Sequence, residues 1–234
     1  HYAGLLTGSH QSYHTVRLTQ NGVGSTVNQY ATTLFTDLAL SWLEDQASPW
    51  FLWLAYTAPH APFHLPPDSL HYSQGLSDDP AAIDADPLSY YLAMLEAMDT
   101  EMGRILDAVD RQNTIVIFIG DNGPPTAVAQ LPYRPRRVKG TVYQGGLQVP
   151  LVVSGAGVDR AGQREAALVS SVDLFATIAE LAGTEGQDSH DSQSFVGLLG
   201  DASAPARTHV YAQIGGDAPA FAIRDSTYKL IDFG

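Results

Sequence analysis

The sequence predicts an α/β fold with a mostly parallel central sheet and helices on both of its faces. Apolar runs rich in β-branched and aromatic residues are typical of buried strands, and they occur at residues 50–56, 114–120 and 149–154. Segments with a helical spacing of apolar residues lie around these runs. Because strands that alternate with helices usually pair in parallel, the order of the segments indicates this fold class.

The first half of the chain contains two predicted helices. Residues 1–28 are rich in Gly, Ser, Thr and Asn without clear periodicity, and we expect a surface loop there. An aromatic residue or leucine recurs every four positions from Tyr30 to Trp42, which predicts an amphipathic helix that ends by Pro49. Residues 68–87 hold five Asp and two Pro and are expected to form a solvated loop, whereas residues 88–109 carry the apolar stripe of a long helix.

The second half is predicted to be irregular at residues 124–146 and regular on both sides of that segment. Ser170 and Asp173 form a possible capping box for a helix that reaches Leu181 and stops at Gly183. A polar loop with a short apolar turn follows. Three short strands are predicted at the end of the chain, at residues 210–214, 220–223 and 228–231.

Composition excludes several classes of function. The 234 residues include 25 acidic and 12 basic side chains, for a net charge of −13, so a nucleic acid or an anionic membrane surface is an unlikely partner on charge alone. Hydrophobic residues make up 44%, enough for a full core, but no stretch has the length of a membrane span. Cysteine is absent, which excludes disulfides and a thiol nucleophile. No signal peptide is visible at His1, and we expect the sequence to come from a longer polypeptide.

The dipeptide Asp121-Asn122 is the strongest candidate for a metal site. It directly follows the apolar run 114–120, at the position where open α/β sheets place their ligands. A carboxylate and a carboxamide supply hard oxygen donors that suit Ca²⁺ or Mg²⁺ better than zinc. The alternative is an ordinary Asp-Asn-Gly turn, since all three residue types favour turns.

His60 and Lys139 are the candidates for contact with an anionic substrate. His60 follows the predicted strand 50–56 and lies between Pro59 and Pro62, which stiffen the backbone around the imidazole. Lys139 is followed by glycine and lies in a segment where four of the twelve bases fall within six positions. The alternatives are a surface histidine and solvated loop charges.

These residues lie in segments that together resemble the signatures of type I sulfatases, of the alkaline phosphatase superfamily. The resemblance covers nearly the whole chain, and its segments are 58–63 (APHAPF), 120–123 (GDNG), 139–150 (KGTVYQGGLQVP), 171–178 (SVDLFATI) and 222–230 (AIRDSTYKL). It implies an alkaline-phosphatase-like α/β fold that hydrolyses sulfate esters. It also implies that Asp121 and Asn122 bind Ca²⁺ (in some relatives Mg²⁺) and that His60 and Lys139 contact the sulfate.

The resemblance also implies parts that we do not find in this sequence. The family's nucleophile is a formylglycine made from Cys or Ser in a Cys/Ser-x-Pro/Ala-x-Arg motif near the N-terminus, and we expect that nucleophile and the first strands of the sheet to lie upstream. The sequence therefore resembles roughly the C-terminal two-thirds of a sulfatase and is expected to be inactive alone. We expect an incomplete catalytic domain at 1–200 and the start of a smaller C-terminal subdomain at 201–234.

Two other functions stay open at this stage. One is a phosphodiesterase or phosphonate hydrolase of the same superfamily, although Asn122 in place of a histidine favours sulfate and a hard cation. The other is a non-catalytic module that kept the anion pocket. The expected partner is a small-molecule or saccharide sulfate ester, and the resemblance favours a periplasmic or extracellular location. The sequence indicates neither the substrate nor the oligomeric state.

Overall fold

The computed structural model describes residues 13–47, 49–184, 190–216 and 219–234. The chain divides into two compact units, His1–Asp110 and Arg111–Gly234. The first unit contains β1 (Val16–Gln20), β2 (Val23–Val27), α1 (Ala31–Glu44), α2 (Pro80–Ala85) and α3 (Pro87–Ala108). The second contains β3 (Ile115–Ile119), α4 (Gln144–Leu147), β4 (Leu151–Gly155), α5 (Asp173–Leu181), α6 (Val196–Gly200), β5 (Val210–Ile214), β6 (Ala220–Arg224) and β7 (Lys229–Asp232).

The predicted surface loop at residues 1–28 is wrong for the residues that the structure describes. β1 and β2 form an antiparallel hairpin that pairs Val16 with Val27 and Gln20 with Val23. Asn21 and Gly22 connect the strands with φ values of 51° and 83°. Two consecutive positive φ angles are what a type I′ hairpin turn requires, and Asn-Gly is its preferred sequence. The Asn21-Gly22 dipeptide thus indicates a hairpin, whereas the polar composition of the residues around it favours a loop.

Helices α1 and α3 confirm the two periodic segments of the first half. Leu34 and Ala39 of α1 and Met94 and Ala97 of α3 are buried. Each helix therefore buries one apolar face, although Leu92, which belongs to the stripe that predicts α3, is 47% exposed. Between the helices, the segment 68–87 is more ordered than the predicted loop.

Two Asp-Pro steps begin the helices of this segment. Asp79 accepts a hydrogen bond from the Ala81 amide at 2.9 Å, and Pro80 is the first residue of α2. Asp86 accepts from the Ser89 amide at 3.4 Å, before Pro87 of α3. Aspartate at the N-cap followed by proline is a strong helix start, so two of the five aspartates predicted as solvated loop charges are helix caps.

A polar cluster joins α1 to α3. The Glu101 carboxylate is buried, accepts from the Thr33 hydroxyl at 2.6 Å and pairs with Arg104 at 2.6 Å. Arg104 also pairs with Asp37 of α1 at 2.7 Å. These hydrogen bonds satisfy a carboxylate that would otherwise be costly to bury.

The predicted strand at 50–56 is wrong, because these residues form no ladder with any described strand. Phe51 and Trp53 are exposed at 59% and 65%. The burial alternates along the segment as it does in a strand. An apolar alternating run is a strand only when a neighbour supplies the other half of its hydrogen bonds, and the sequence of one segment cannot show that neighbour.

β3 and β4 confirm the strands predicted at 114–120 and 149–154. They pair antiparallel, with Ile115 opposite Gly155 and Ile119 opposite Leu151. The mostly parallel pairing that was expected does not occur among the described strands, all of which pair antiparallel. Parallel strands need a crossover, usually a helix, and the segment between β3 and β4 holds only single helical turns. The α/β class itself is confirmed, and no helix in the described ranges is long and apolar enough to cross a membrane.

Helices α5 and α6 pack on the β3–β4 pair. Leu174, Phe195 and Leu198 form the buried centre, and Ile117 and Val153 of the strands pack against it. The predicted end of α5 is confirmed: Gly183 has φ +71°, its amide donates to Glu180 O at 2.9 Å, and the Thr184 amide donates to Ala179 O at 3.0 Å. These two bonds are those of a Schellman motif, which glycine favours.

The three strands predicted at the end of the chain are confirmed as the antiparallel sheet β5–β6–β7. One face carries Ala220, Ala222, Ile214 and Ile231, which pack around the buried Val142. The sheet is therefore tied to the irregular segment that precedes β4. The subdomain boundary expected near residue 200 stays a prediction.

An ion pair holds the start of α5. Asp173 is 1% exposed, and Arg207 donates to it from Nε and Nη2 at 2.5–2.8 Å. The carboxylate also accepts from the Ser170 and Gln193 amides, each at 2.8 Å. Burial raises the pKa of Asp173, but Arg207 and the two amides outweigh burial and hold the pKa below its usual value. The bond from the Ser170 amide to the Asp173 carboxylate is one of the two bonds of the predicted capping box, the one in which the second residue's side chain accepts.

We expect Asp173→Asn to lower the free energy of unfolding by about 3–5 kcal/mol, because it removes the carboxylate of a largely buried ion pair and leaves the Arg207 charge without that partner. A depressed folded-state pKa contributes stability that is present above the unfolded value of about 3.9 and is lost as the pH falls through the folded value. The variant should therefore also lose part of the acid sensitivity. Urea denaturation at a series of pH values measures both effects.

The matched control is Glu180→Gln, which makes the same chemical change at an exposed position of the same helix. Equal urea midpoints for Asp173→Asn and Glu180→Gln would show that the ion pair does not stabilise the fold.

Candidate functional site

The corner after β3 places the Asp121-Asn122 pair. The Gly120 amide donates to Pro150 O at 3.1 Å, which ties the start of the corner to the residue before β4. Asp121 Oδ1 accepts from the Asn122 amide at 2.8 Å, and Asn122 Nδ2 donates to Gly123 O at 3.2 Å. Both hydrogen bonds are local. The Asn122 bond turns its amide nitrogen toward the backbone, so its amide oxygen is the atom available to a cation.

Three glycines bring the corner into direct backbone contact with α4. A Cβ at Gly123 would lie 1.7 Å from Gly145 O, and a Cβ at Gly146 would lie 2.3 Å from Thr141 O. The Gly123 amide donates to Gly146 O at 3.1 Å. No side chain fits at such distances, so the glycines are required by close approach rather than by an unusual φ.

Lys139 lies in the same corner. Its amide donates to Pro124 O at 3.1 Å, and its side chain is half-buried. The buried Val138 precedes it, and Val138 O accepts from the Thr141 hydroxyl at 2.7 Å. The structure thus brings the backbone of Lys139 to the segment that carries Asp121 and Asn122.

The donor set of this corner fits part of a site for a hard cation. Asp121 forms no ion pair with a described basic residue, and it stands beside an amide oxygen. Ca²⁺ takes about six to eight oxygen ligands, of which this pair supplies two side chains. Within the described ranges, no cluster of three or more His, Cys, Asp or Glu side chains has the arrangement of a metal site. The pair fits Ca²⁺ or Mg²⁺ as a partial ligand set.

His60 belongs to the first compact unit, and its loop is held by backbone contacts. The His60 amide donates to Thr57 O at 2.9 Å, and the buried Tyr13 donates from its hydroxyl to His60 O at 2.7 Å. The ring is exposed, and Nδ1 lies 2.7 Å from Ala61 O. A carbonyl only accepts, so Nδ1 carries the hydrogen of this contact.

His64 lies in the same loop and contacts Tyr13, Tyr30 and the loop backbone. Its ring centroid lies 4.1 Å from that of Tyr13, Nδ1 lies 3.0 Å from Pro62 O, and Nε2 lies 3.1 Å from the Tyr30 hydroxyl. Burial lowers the pKa of His64 to about 4, so the ring is neutral at neutral pH. Burial also raises the pKa of Tyr30 to about 12. Sequence reasoning missed Tyr13 and Tyr30, because neither residue is near the loop in the chain.

The structure accounts for one sequence pattern that was not expected. Residues 203–207 (SAPAR) do match Ser-x-Pro-x-Arg, contrary to the expectation that these residues hold no such motif. The Ser203 hydroxyl bonds to the Asp201 carboxylate at 2.8 and 2.9 Å, and Arg207 is bound to Asp173. Both side chains of the pattern are therefore engaged in structural bonds.

The sulfatase family model matches residues 2–184. A sulfatase of Formosa agariphila is 31% identical over 178 residues, which cover 67% of this chain and 31% of that protein. Arylsulfatase G of Mus musculus is 33% identical over 138 residues, which cover 52% of this chain and 26% of that protein.

Solved structures show the same likeness. The structure of Ps i-CgsB in complex with k-i-k-neocarrahexaose has a TM-score of 0.79 at 26% identity, and the match covers 92% of this chain and 49% of that one. The structure of BT4656 in complex with its substrate D-glucosamine-2-N,6-O-disulfate has a TM-score of 0.76 at 18% identity, which shows a shared fold, and covers 98% and 66%. The chain thus spans between a quarter and a third of the two curated relatives and about half of the first structure.

We expect Gly123→Ala to destabilise the second unit by about 1–3 kcal/mol or more, the usual cost of overpacking, because the new methyl group meets backbone that cannot rotate away. The same change at Gly103, on α3, meets nothing within 4 Å and should stabilise the chain by about 0.5–1 kcal/mol. Thermal denaturation of both variants measures the difference. A Gly123→Ala protein as stable as the Gly103→Ala protein would contradict the close contact.

Proposed function

Because the chain belongs to the sulfatase family, we propose that the protein hydrolyses sulfate esters. In this proposal Asp121 and Asn122 bind a Ca²⁺ ion (or Mg²⁺), and His60 and Lys139 contact the sulfate group. The observation that carries the assignment of residues is the glycine contact that joins the Asp121-Asn122 corner to the Lys139 loop. In this proposal, the metal ligands Asp121 and Asn122 and the positive charge of Lys139 lie on one rigid backbone junction. Such an arrangement suits the binding of an anionic ester.

A divalent cation at the Asp121-Asn122 corner would neutralise charge on the sulfuryl oxygens. Lys139 would act as a second positive charge, with its position set by the Pro124 hydrogen bond and the buried Val138. His60 would donate from Nε2 to the leaving ester oxygen as an imidazolium, in which both ring nitrogens carry a hydrogen, because the Nδ1 hydrogen is already directed to Ala61 O. Each residue thus stabilises negative charge that increases as the ester bond breaks.

The family mechanism that we propose uses a formylglycine nucleophile. These 234 residues contain no cysteine, and the hydroxyl of the one matching serine, Ser203, is bound to Asp201. We therefore propose that the chain described here supplies metal and sulfate contacts but does not turn over substrate by itself.

Saccharide sulfates are the substrate class that we propose. The support is the structural neighbour Ps i-CgsB, which is 26% identical and whose structure contains the saccharide k-i-k-neocarrahexaose. A phosphate-ester activity is the weaker alternative, because the amide oxygen of Asn122 suits a hard cation better than the softer metals that imidazole binds.

Asp121→Ala should abolish Ca²⁺ binding in the complete protein and leave the fold mostly intact, since Asp121 is exposed and its hydrogen bond within the described chain is local. Isothermal titration calorimetry with Ca²⁺ tests this, and circular dichroism checks the fold. Asp159→Ala, an exposed carboxylate of the same unit, is the control. Ca²⁺ affinity that is equal in the two variants would remove Asp121 from the metal site.

Lys139→Ala should lower kcat/KM for a sulfate ester by about 10²–10³-fold, the typical effect of removing one group that stabilises charge in the transition state. The urea midpoint should change little, because the backbone amide of Lys139 keeps its bond to Pro124. Steady-state kinetics of the complete protein measures the first and denaturation the second. Unchanged kinetics would exclude Lys139 from the site.

A further inference from the structure

The segment that leads to Lys139 carries an unusual concentration of positive charge. Arg134, Arg136 and Arg137 are exposed on and beside the short 3₁₀ turn Pro135–Arg137. The chain as a whole has a net charge of −13. We refer to these three arginines as the arginine patch.

The arginine patch is not neutralised by any carboxylate that the structure describes. Arg104, Arg160 and Arg207 each pair with a carboxylate at 2.5–2.7 Å. None of the three patch arginines forms such a pair with a described carboxylate. With about two acidic residues for every basic one, pairing would be easy to achieve. Three guanidinium groups within four positions repel one another, and an anion between them would remove that repulsion.

The turn that carries the patch is fixed by its surroundings. The Arg137 amide donates to Arg134 O at 2.8 Å, and the Thr126 hydroxyl donates to Pro135 O at 2.9 Å. The Arg137 guanidinium lies 4.5 Å from the centre of the Tyr143 ring, a cation–π distance. The charges are thus held on an ordered backbone, so less conformational entropy is lost when an anion binds.

The patch is continuous with the proposed active site. Arg137 is two residues from Lys139, and a Cβ at Gly145 would lie 2.6 Å from Arg137 O. The same glycine-rich junction therefore positions the patch and the Asp121-Asn122 corner. Arg134, Pro135, Arg136 and Arg137 also line a shallow depression of the surface that is open to solvent.

We propose that the arginine patch binds a second oxyanion of the substrate, a sulfate or carboxylate group on the saccharide that carries the reacting ester. Guanidinium groups bind such anions with two parallel hydrogen bonds, which gives direction as well as charge. The patch selects multiply charged saccharides over singly charged esters. This inference rests on the proposed function, and it concerns residues that the proposed chemistry does not use.

The test compares two triple variants of the complete protein. One replaces the patch, Arg134→Gln, Arg136→Gln and Arg137→Gln. The control replaces three exposed arginines elsewhere, Arg17→Gln, Arg111→Gln and Arg164→Gln, and removes the same net charge. Calorimetry in the presence of a chelator measures binding of two disaccharides, one with two sulfates and one with a sulfate and a uronic carboxylate. Steady-state kinetics measures hydrolysis of the same compounds.

The patch variant should bind at least one disaccharide about tenfold more weakly than the control variant does, the combined effect of three exposed charge contacts. Its binding should also depend less on salt concentration. The disaccharide that is affected shows whether the second group is a sulfate or a carboxylate. The double variant Arg134→Gln and Arg136→Gln keeps the Arg137–Tyr143 contact, and it should weaken binding about threefold if the triple variant does not fold.

Equal affinities of the patch and control variants for both disaccharides would overturn the inference, whatever the turnover. A wild-type protein that binds through the patch but hydrolyses neither compound would instead contradict the proposed function and leave the anion site standing.

Discussion

The contact between Gly123 and the Gly145–Gly146 pair is the constraint on which the candidate site depends. It brings two backbone segments so close together that no side chain would fit between them. All candidate site residues of the second unit lie next to this contact. Asp121 and Asn122 precede it, and the loop of Lys139 packs against its other side. Because the contact is made by backbone alone, little can adjust there, and the polar groups around it have fixed relative backbone positions. Pre-organisation of this kind is what a site for a dispersed anionic charge requires.

The arginines of the second unit show two opposite uses of the same side chain. Arg207 is nearly buried, and it satisfies Asp173 at the start of α5 together with two backbone amides. Its role is to connect distant parts of the unit. Arg134, Arg136 and Arg137 are exposed, and none is neutralised by a described carboxylate, although acidic residues are abundant. A protein of such negative charge repels anionic ligands at long range, so attraction has to be local. The arginine patch and Lys139 supply it over one short segment.

Sequence reasoning succeeded where the signal is local and failed where it depends on a partner. The helices α1, α3 and α5 and the strands β3 to β7 followed from periodicity, caps and turn residues. The segment 50–56 has the pattern of a strand, yet no described strand pairs with it, and pairing is a property of two segments. Likewise, neither the sequence of β3 nor that of β4 indicates that the two strands pair antiparallel. The hairpin of β1 and β2 is different, because its turn sequence Asn21-Gly22 is a local signal. The polar composition of the segment nevertheless led to the prediction of a loop.

The same distinction explains which site residues sequence reasoning found. Asp121, Asn122, His60 and Lys139 are reactive residue types in resembling segments, so they were recognised by their chemistry. Tyr13 and Tyr30, which bond to His60 and His64, have ordinary surroundings in the chain and become relevant only when folding brings them to this loop. Gly123, Gly145 and Gly146 occupy an intermediate position: they lie within the resembling segments but carry no chemistry. Their close packing gives a physical reason for their presence, because any Cβ at these positions would separate the Asp121-Asn122 corner from the Lys139 loop. The signature segments therefore contain two kinds of residue: those with reactive side chains, and glycines whose backbone contacts hold the reactive residues in place.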